Sequence, residues 1–461
     1  MWAFSLPFAA LALLPTSTFG AQKVFNLNIV NAKLSPDGFV RDTVVPNGTF
    51  PGPTFKLTKG DSVVIHTHNQ LTSPDMRRST SIHWHGFFQA RTSGMDGPSF
   101  VNQCPIAPGT TFDYVFDTAG QTGNYWYHSH LSTQYCDGLS SNVLAPAGQN
   151  SFFKTGIVPV QDSGLINGKG RYAGGPLGKF RVFSLSCRPF MTLSFDNHTF
   201  DVIELDGVEH DPVPFQNADI YAAQRISIVL NANQTVGNYW IRNSTNNPNF
   251  QPNLTLAILR YVGAPEVEPT TVDTPGAKLD DGLMHPIASE RPGKLGSGPA
   301  DLAVTLNIAQ PNSPFFDING VSYLSPSLPP GDFLPSEQVI LLPPNSIIDI
   351  TIPGGGNHPF HLHGHNFDVV LQPNTTTFNY INPARRDVQP INGGNTTFRF
   401  FSDNPGAWFL HCHIDWHLEA GLAVVFGESP SANIAGPQSQ IQTPEWKALC
   451  PTYDNLAPEF Q

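Results

Sequence analysis

The densest chemistry in the chain lies in His411-Cys412-His413-Ile414-Asp415-Trp416-His417. A thiolate at Cys412 and an imidazole at His417 can share one metal ion. His411 and His413, directed the other way, can serve a second metal cluster. One soft thiolate with two imidazoles selects copper and forms a blue-copper electron-transfer site. The third ligand of that site is offered by His358, in His358-Pro359-Phe360-His361-Leu362-His363-Gly364. Two more pairs stand near the N-terminus, in His83-Trp84-His85-Gly86 and Trp126-Tyr127-His128-Ser129-His130. Residues i and i+2 of a strand project from one face, so each H-x-H can aim two rings at one place. With His358, Cys412 and His417, the four pairs make ten histidines and one cysteine. A single pair would carry little weight, but four pairs around a cysteine-centred segment outweigh a reading as solvated histidines.

The strands that must position these residues form an internal repeat. H-W-H-G is followed about forty-five residues later by W-Y-H-S-H, and H-L-H-G about fifty residues later by W-F-L-H-C-H. Such self-similarity implies two copies of one structural unit. Two related β-domains, each giving four histidines to a cluster at their interface, are expected. Only the second copy has the cysteine, so only it has the blue-copper site. Forty-three prolines, forty glycines and 13% charged residues fit an all-β, turn-rich protein. Alternation in Asp61–His66 and Ile347–Ile352 agrees with this.

These segments resemble the copper motifs of multicopper oxidases, and specifically of secreted fungal laccases. The resemblance extends to Gly97-Pro98, Val101-Asn102-Gln103-Cys104-Pro105-Ile106, Tyr221-Ala222-Ala223-Gln224-Arg225, Asn238-Tyr239-Trp240-Ile241-Arg242 and Asp403-Asn404-Pro405-Gly406 before Trp408. It implies three cupredoxin-like Greek-key domains: 21–148 with half of the cluster, 149–298 with a linker, and 299–461 with the blue site and the other half. It implies four copper ions. His83 and His361 would hold a type 2 copper, and His85, His128, His130, His363, His411 and His413 a coupled type 3 pair. Substrate electrons would enter at His358, Cys412 and His417, and the cluster would reduce dioxygen to water. The covalent path from Cys412 to its flanking histidines would span on the order of 10–13 Å. The axial neighbour of the blue site would be Leu422, which cannot ligate and makes the site more oxidising than a methionine would.

Protons must also reach the cluster. The resemblance points to Asp96, in Met95-Asp96-Gly97-Pro98, and Asp415 beside the histidine pair is a second candidate. Carboxylates beside metal-bound histidines commonly orient the ring. Asp96, Asp415 and His417 are therefore the candidate catalytic residues. His66, His68, His198, His210, His285 and His365 match no motif and receive no role.

Residues Trp2–Leu14 are apolar and small residues follow through Gly20, which reads as a secretory signal over 1–20, although it lacks a basic start. The run is short for a membrane span. Seven N-x-S/T sequons begin at Asn47, Asn197, Asn233, Asn243, Asn253, Asn374 and Asn395, a density that fits a secreted glycoprotein. With Cys412 assigned to copper, four cysteines remain for two disulfides, and three pairings are open. The resemblance implies Cys104–Cys450 and Cys136–Cys187. A formal charge of −12 argues against nucleic acid or anionic membrane as partners. An extracellular monomer acting on a small phenol or aromatic amine, with dioxygen, is expected, with a role in lignin or phenolic degradation.

The chain departs from the resemblance in two ways. It is short between Cys136 and Cys187, where Ser140–Pro146 replaces an expected strand, and again between Tyr323 and Leu334. The middle domain is therefore expected to be truncated, with strand edges exposed and cleavage favoured between Ser140 and Gly178. Arg188 stands where an acidic residue often helps bind the phenol. Two alternatives to a laccase stay open: a metallo-oxidase of ferroxidase type, and a non-catalytic copper-binding splice or gene-model product.

Overall fold

The computed structural model describes residues 20–139, 190–244, 255–323 and 339–457, apart from positions 37, 39, 119, 274–275, 291–292 and 294. Between 139 and 190 it describes only the backbone of the short strands Leu165–Ile166 and Lys169–Gly170. The expected leader, Ser140–Pro146 and most of the segment to Gly178, Cys187, Arg188, Asn253 and residues 324–338 lie outside the described residues. Strand makes up 42% and helix 10%, so the all-β expectation holds. No helix among the described residues is long and apolar enough to cross a membrane.

Three groups of sheets follow one another along the chain. The first has a four-stranded sheet in the order Arg41–Pro46, Gln22–Leu34, Ser62–Asn69, Thr111–Asp117. In Ser62–Asn69 every second residue is buried, which turns Val63 and Ile65 inward with Leu27, Ile29, Phe112 and Tyr114. Facing them is a two-stranded ladder of Ile82–His85 and Trp126–Ser129, whose Trp84 joins the same core.

The middle group keeps two sheets among the described residues. One orders Val208–Phe215, Phe200–Leu205 and Ile226–Leu230; the other orders Asn217–Tyr221, Phe190–Phe195, Asn238–Ser244 and Leu256–Arg260. Leu193, Phe200, Val202, Phe215, Ile220 and Ile241 fill the space between them. Among the described residues the middle group therefore has a packed two-sheet core.

The third group is the fullest, with two five-stranded sheets. One runs Leu302–Thr305, Ile347–Ile352, Thr396–Phe401, Phe367–Leu371, Arg385–Arg386. The other runs Val339–Leu342, Ala423–Glu428, Gly406–Cys412, His358–Leu362, Val388–Ile391. Ile348, Ile350, Phe360, Phe398, Trp408, Leu422 and Phe426 interdigitate between them. Strands buried on both faces read as continuous apolar runs, and His358–Leu362 is buried throughout. The helix Pro444–Asp454 then returns to the first group. Thr443 caps it, Leu449 and Tyr453 enter the first core, and the expected Cys104–Cys450 disulfide fastens it there. The Cys136–Cys187 pairing involves a residue outside the described ones.

Candidate metal centre

Ladder register brings the histidines together. His83 pairs with His128 across one ladder, and His361 with His411 across the other. Of the four H-x-H pairs, His83/His85 alone lies wholly within one strand. His130, His363 and His413 sit just past their strand ends, where His130 N donates to Ser81 O at 3.1 Å and His413 N to Pro359 O at 2.7 Å. The chain then turns at Gly86 (φ 91°) and Gly364 (φ 72°). A Cβ at Gly364 would come within 2.5 Å of the Trp408 ring, so both the φ and the contact require glycine.

All eight paired histidines are buried. Their ligand atoms form three sets within 4.8 Å: His83, His85 and His361; His85, His128 and His413; and His130, His363 and His411. Five of the eight rings are held through Nδ1, and His413 has both ring nitrogens buried without a protein partner among the described residues. Nδ1 donates to Asp96 O from His83 (2.6 Å), to Ser129 O from His128 (2.8 Å), to Asp387 O from His361 (2.9 Å), to Cys412 O from His411 (2.9 Å) and to Asp96 Oδ2 from His363 (2.7 Å). The opposite Nε2 of His83, His128 and His361 is buried with no protein partner among the described residues. His85 is reversed: its Nε2 faces Asp387 Oδ1 at 3.4 Å, and its Nδ1 is the nitrogen left without a partner. Nε2 of His363 and His130 converge on that of His411 at 3.1 and 3.4 Å. Tautomers fixed from outside, with the other nitrogens converging unpartnered, are what a metal cluster requires. Burial, then neighbouring histidines or Arg225, hold His85, His128, His130, His361, His363 and His413 well below the usual imidazole range. Held neutral in this way, the rings could each offer a lone pair to a metal ion.

On the other side of the same strand, Cys412 Sγ lies 3.6 Å from His358 Nδ1 and 3.5 Å from His417 Nδ1, and the two nitrogens are 3.0 Å apart. Cys412 is fully buried and His417 only partly, so the site reaches outward through His417. Burial pushes the Cys412 thiol far above its usual range and His358 down to about 4. Leu422 is fully buried in the same core, and its carbonyl accepts from Cys412 N at 3.1 Å.

The carboxylates divide between expected and missed. Asp96 contacts two ligand rings, with Oδ2 on His363 and Oδ1 3.3 Å from His83 Nδ1. Asp415 is buried, its Oδ2 3.2 Å from Cys136 Sγ. Asp387 was not legible, because it lies outside every histidine motif. Its carbonyl holds His361 and its carboxylate faces His85. Arg225, from the middle group, grips that carboxylate at 2.6 and 2.7 Å. Burial raises Asp387 to about 6 against the pull of Arg225. Asp206 extends the network by accepting from Arg225 N at 2.7 Å and Arg386 Nε at 2.9 Å.

The histidines given no role from sequence lie in other surroundings. His66 contacts Asp113, His198 bridges Asp196 O and Tyr261 Oη, and His365 lies 3.1 Å from Glu428. Of the sequons, Asn47, Asn197, Asn233, Asn374 and Asn395 are exposed. Asn243 is half-buried, its Nδ2 2.9 Å from the Met191 sulfur.

Family models described as multicopper oxidase match residues 28–146, 137–264 and 299–432. The chain is 59% identical to Laccase-2 of Agaricus bisporus, covering 99% of this chain and 100% of that one. It is 42% identical to Laccase-1 of Pleurotus ostreatus, covering 94% and 93%. Among solved structures, the laccase from Botrytis aclada aligns with a TM-score of 0.80 at 31% identity over 95% of this chain and 93% of that one. Fet3p, described as a multicopper oxidase that functions in iron import, aligns at 0.81 and 25% identity over 94% and 95%.

Proposed function

The chain belongs to the multicopper oxidase family, as an enzyme of laccase type, and from that premise we propose which residues carry its reaction. His358, Cys412 and His417 would hold the copper that supplies the entry point for single electrons from a phenol or aromatic amine. The eight paired histidines hold the cluster where dioxygen is reduced, His83 and His361 at the type 2 position and the other six at the type 3 pair. Four copper ions supply the one-electron and oxygen chemistry when bound.

The observation that carries this reading is the position of Cys412. Its thiol stands within 3.6 Å of two imidazole nitrogens, and its backbone continues directly into His411 and His413. His417, partly exposed, is the group a reductant can approach. Leu422 lines the site without ligating. Asp96 fixes the tautomer of His363 and, with Asp415, holds protons for the oxygen side. Asp387 joins them by facing His85.

The domain division is 21–148, 149–298 and 299–461. The protein acts as a secreted monomer after loss of residues 1–20, glycosylated at exposed sequons, in the breakdown of lignin-type phenolics. Oxygen uptake by the copper-loaded protein, with a simple phenol and then with ferrous iron, tests the reading. Uptake with the phenol supports it. Uptake with iron alone would make the protein a metallo-oxidase, and uptake with neither would make it a non-catalytic copper protein.

A further inference from the structure

The first and third groups of sheets share four backbone hydrogen bonds and one antiparallel bridge around their histidine pairs. His130 N donates to Ser81 O as His413 N does to Pro359 O. Ser129 N donates to Leu139 O at 2.9 Å as Cys412 N does to Leu422 O at 3.1 Å. Gln134 N donates to Leu131 O as His417 N does to Ile414 O, and Gly138 N to Tyr135 O as Gly421 N does to Leu418 O. The antiparallel bridge of Thr80 to Ile106 matches the pairing of His358 with Ile391. Every one of these contacts joins counterparts. Thr80 therefore stands where His358 does, Ser129 where Cys412 does, Gln134 where His417 does, and Leu139 where Leu422 does.

The three polar counterparts also meet. Thr80, Ser129 and Gln134 are buried. Gln134 Oε1 accepts from Thr80 Oγ1 at 2.7 Å and from Ser129 Oγ at 2.6 Å. Gln134 Nε2 donates to Ser79 O at 3.0 Å and Arg77 O at 3.2 Å, so the amide is held from behind. One carbonyl oxygen gathers two hydroxyls much as one ion gathers its ligands. Leu139 closes the site from the first core, as Leu422 does in the third. A buried polar group needs its partners, and this trio supplies them without any ion.

We infer that the N-terminal unit carries the backbone frame of a second mononuclear metal site, with its ligand positions taken by Thr80, Ser129 and Gln134 and closed by their neutral hydrogen-bonded triad. Ser129 lies between His128 and His130. A thiolate-bound copper at that position would therefore have the same two covalent routes to the cluster that Cys412 has. The ion this site takes, once imidazoles and a thiolate are restored, is copper.

The test is made in the Cys412→Ser protein, which lacks the thiolate of the C-terminal site. Thr80→His, Ser129→Cys and Gln134→His are added together, and the protein is loaded with copper. The expected result is a regained thiolate-to-copper absorption and one more copper per chain than Cys412→Ser alone. A folded protein with the copper content of Cys412→Ser and no such absorption would overturn the inference. A Cys412→Ser protein that stayed blue before the additions would instead contradict the proposed blue-site ligands, so the two failures are distinct. Should the added substitutions prevent folding, the reverse exchange decides. His358→Thr, Cys412→Ser and His417→Gln is expected to close into the same triad. Its melting midpoint is then expected to lie about 2 °C above that of His358→Ala, Cys412→Ser and His417→Ala, for the triad's two recovered buried hydrogen bonds in a chain of this length. Equal midpoints would contradict the correspondence.

Discussion

Oδ2 of Asp96 lies 2.7 Å from Nδ1 of His363, joining a 3₁₀ turn of the first group to a ligand position of the third. The two halves of the histidine cluster are thus coupled directly by a carboxylate. Burial raises the Asp96 pKa, so the group is fitted to exchange a proton. Asp96→Asn is expected to lower oxygen turnover by about 10²-fold or more, the range for a general acid or base. The blue absorption will be unchanged, because Asp96 contacts the rings of His83 and His363, which belong to the cluster set and not to the set of His358, Cys412 and His417. Stopped-flow reoxidation of the reduced protein checks this, and wild-type reoxidation rates would contradict it.

Arg225 carries the middle unit to the cluster. Its guanidinium is 2% exposed and grips Asp387, which faces His85 and holds His361. Removing one member of a buried pair costs about 3–5 kcal/mol, because the other charge is left unpaired. Arg225→Leu is expected to lose stability on that scale and to bind type 2 copper about 10–100-fold more weakly, as for loss of other groups that orient metal ligands. Denaturant melts with type 2 EPR read both. An unchanged EPR signal at equal copper would separate Arg225 from the cluster.

Copper-free protein is expected to be acid-labile in a defined window. His358 and His210 are held at about 4, chiefly by burial, below the ordinary 6.5. Burial and neighbouring charged groups also hold His85, His128, His130, His361, His363 and His413 well below that value. Between the unfolded and folded pKa values the unfolded chain binds more protons, so stability rises with pH there. Melting temperature will fall as pH drops from 6.5 toward 4 and level off above 6.5. Bound copper removes much of this slope, since ligated imidazoles cannot protonate. A flat copper-free profile across that window would contradict neutral, buried histidines.

Much of the site was legible because copper ligands come from few residue types and a strand repeats every two residues. His83/His85 and Cys412 with its flanking histidines needed no tertiary information. What escaped was assembled by packing between distant segments. Tyr221–Arg225 was visible as a shared motif, but its purpose depends on Asp387, which no spacing connects to it. Thr80, Ser129 and Gln134 carry no metal-ligand signature, and only matched backbone hydrogen bonds bring out their equivalence to His358, Cys412 and His417. Composition left three cysteine pairings open. The resemblance to laccases chose Cys104–Cys450, and the helix Pro444–Asp454 packed on the first core gives the physical reason for it.

Two separate ligand sets are proposed to share the segment His411–His413, and copper content and spectra of Cys412→Ser separate them. Loss of one copper per chain and of the blue absorption is expected, with the type 2 EPR signal retained, because all eight paired histidines remain. A variant that stayed blue, or that lost the cluster coppers together with the blue one, would contradict it.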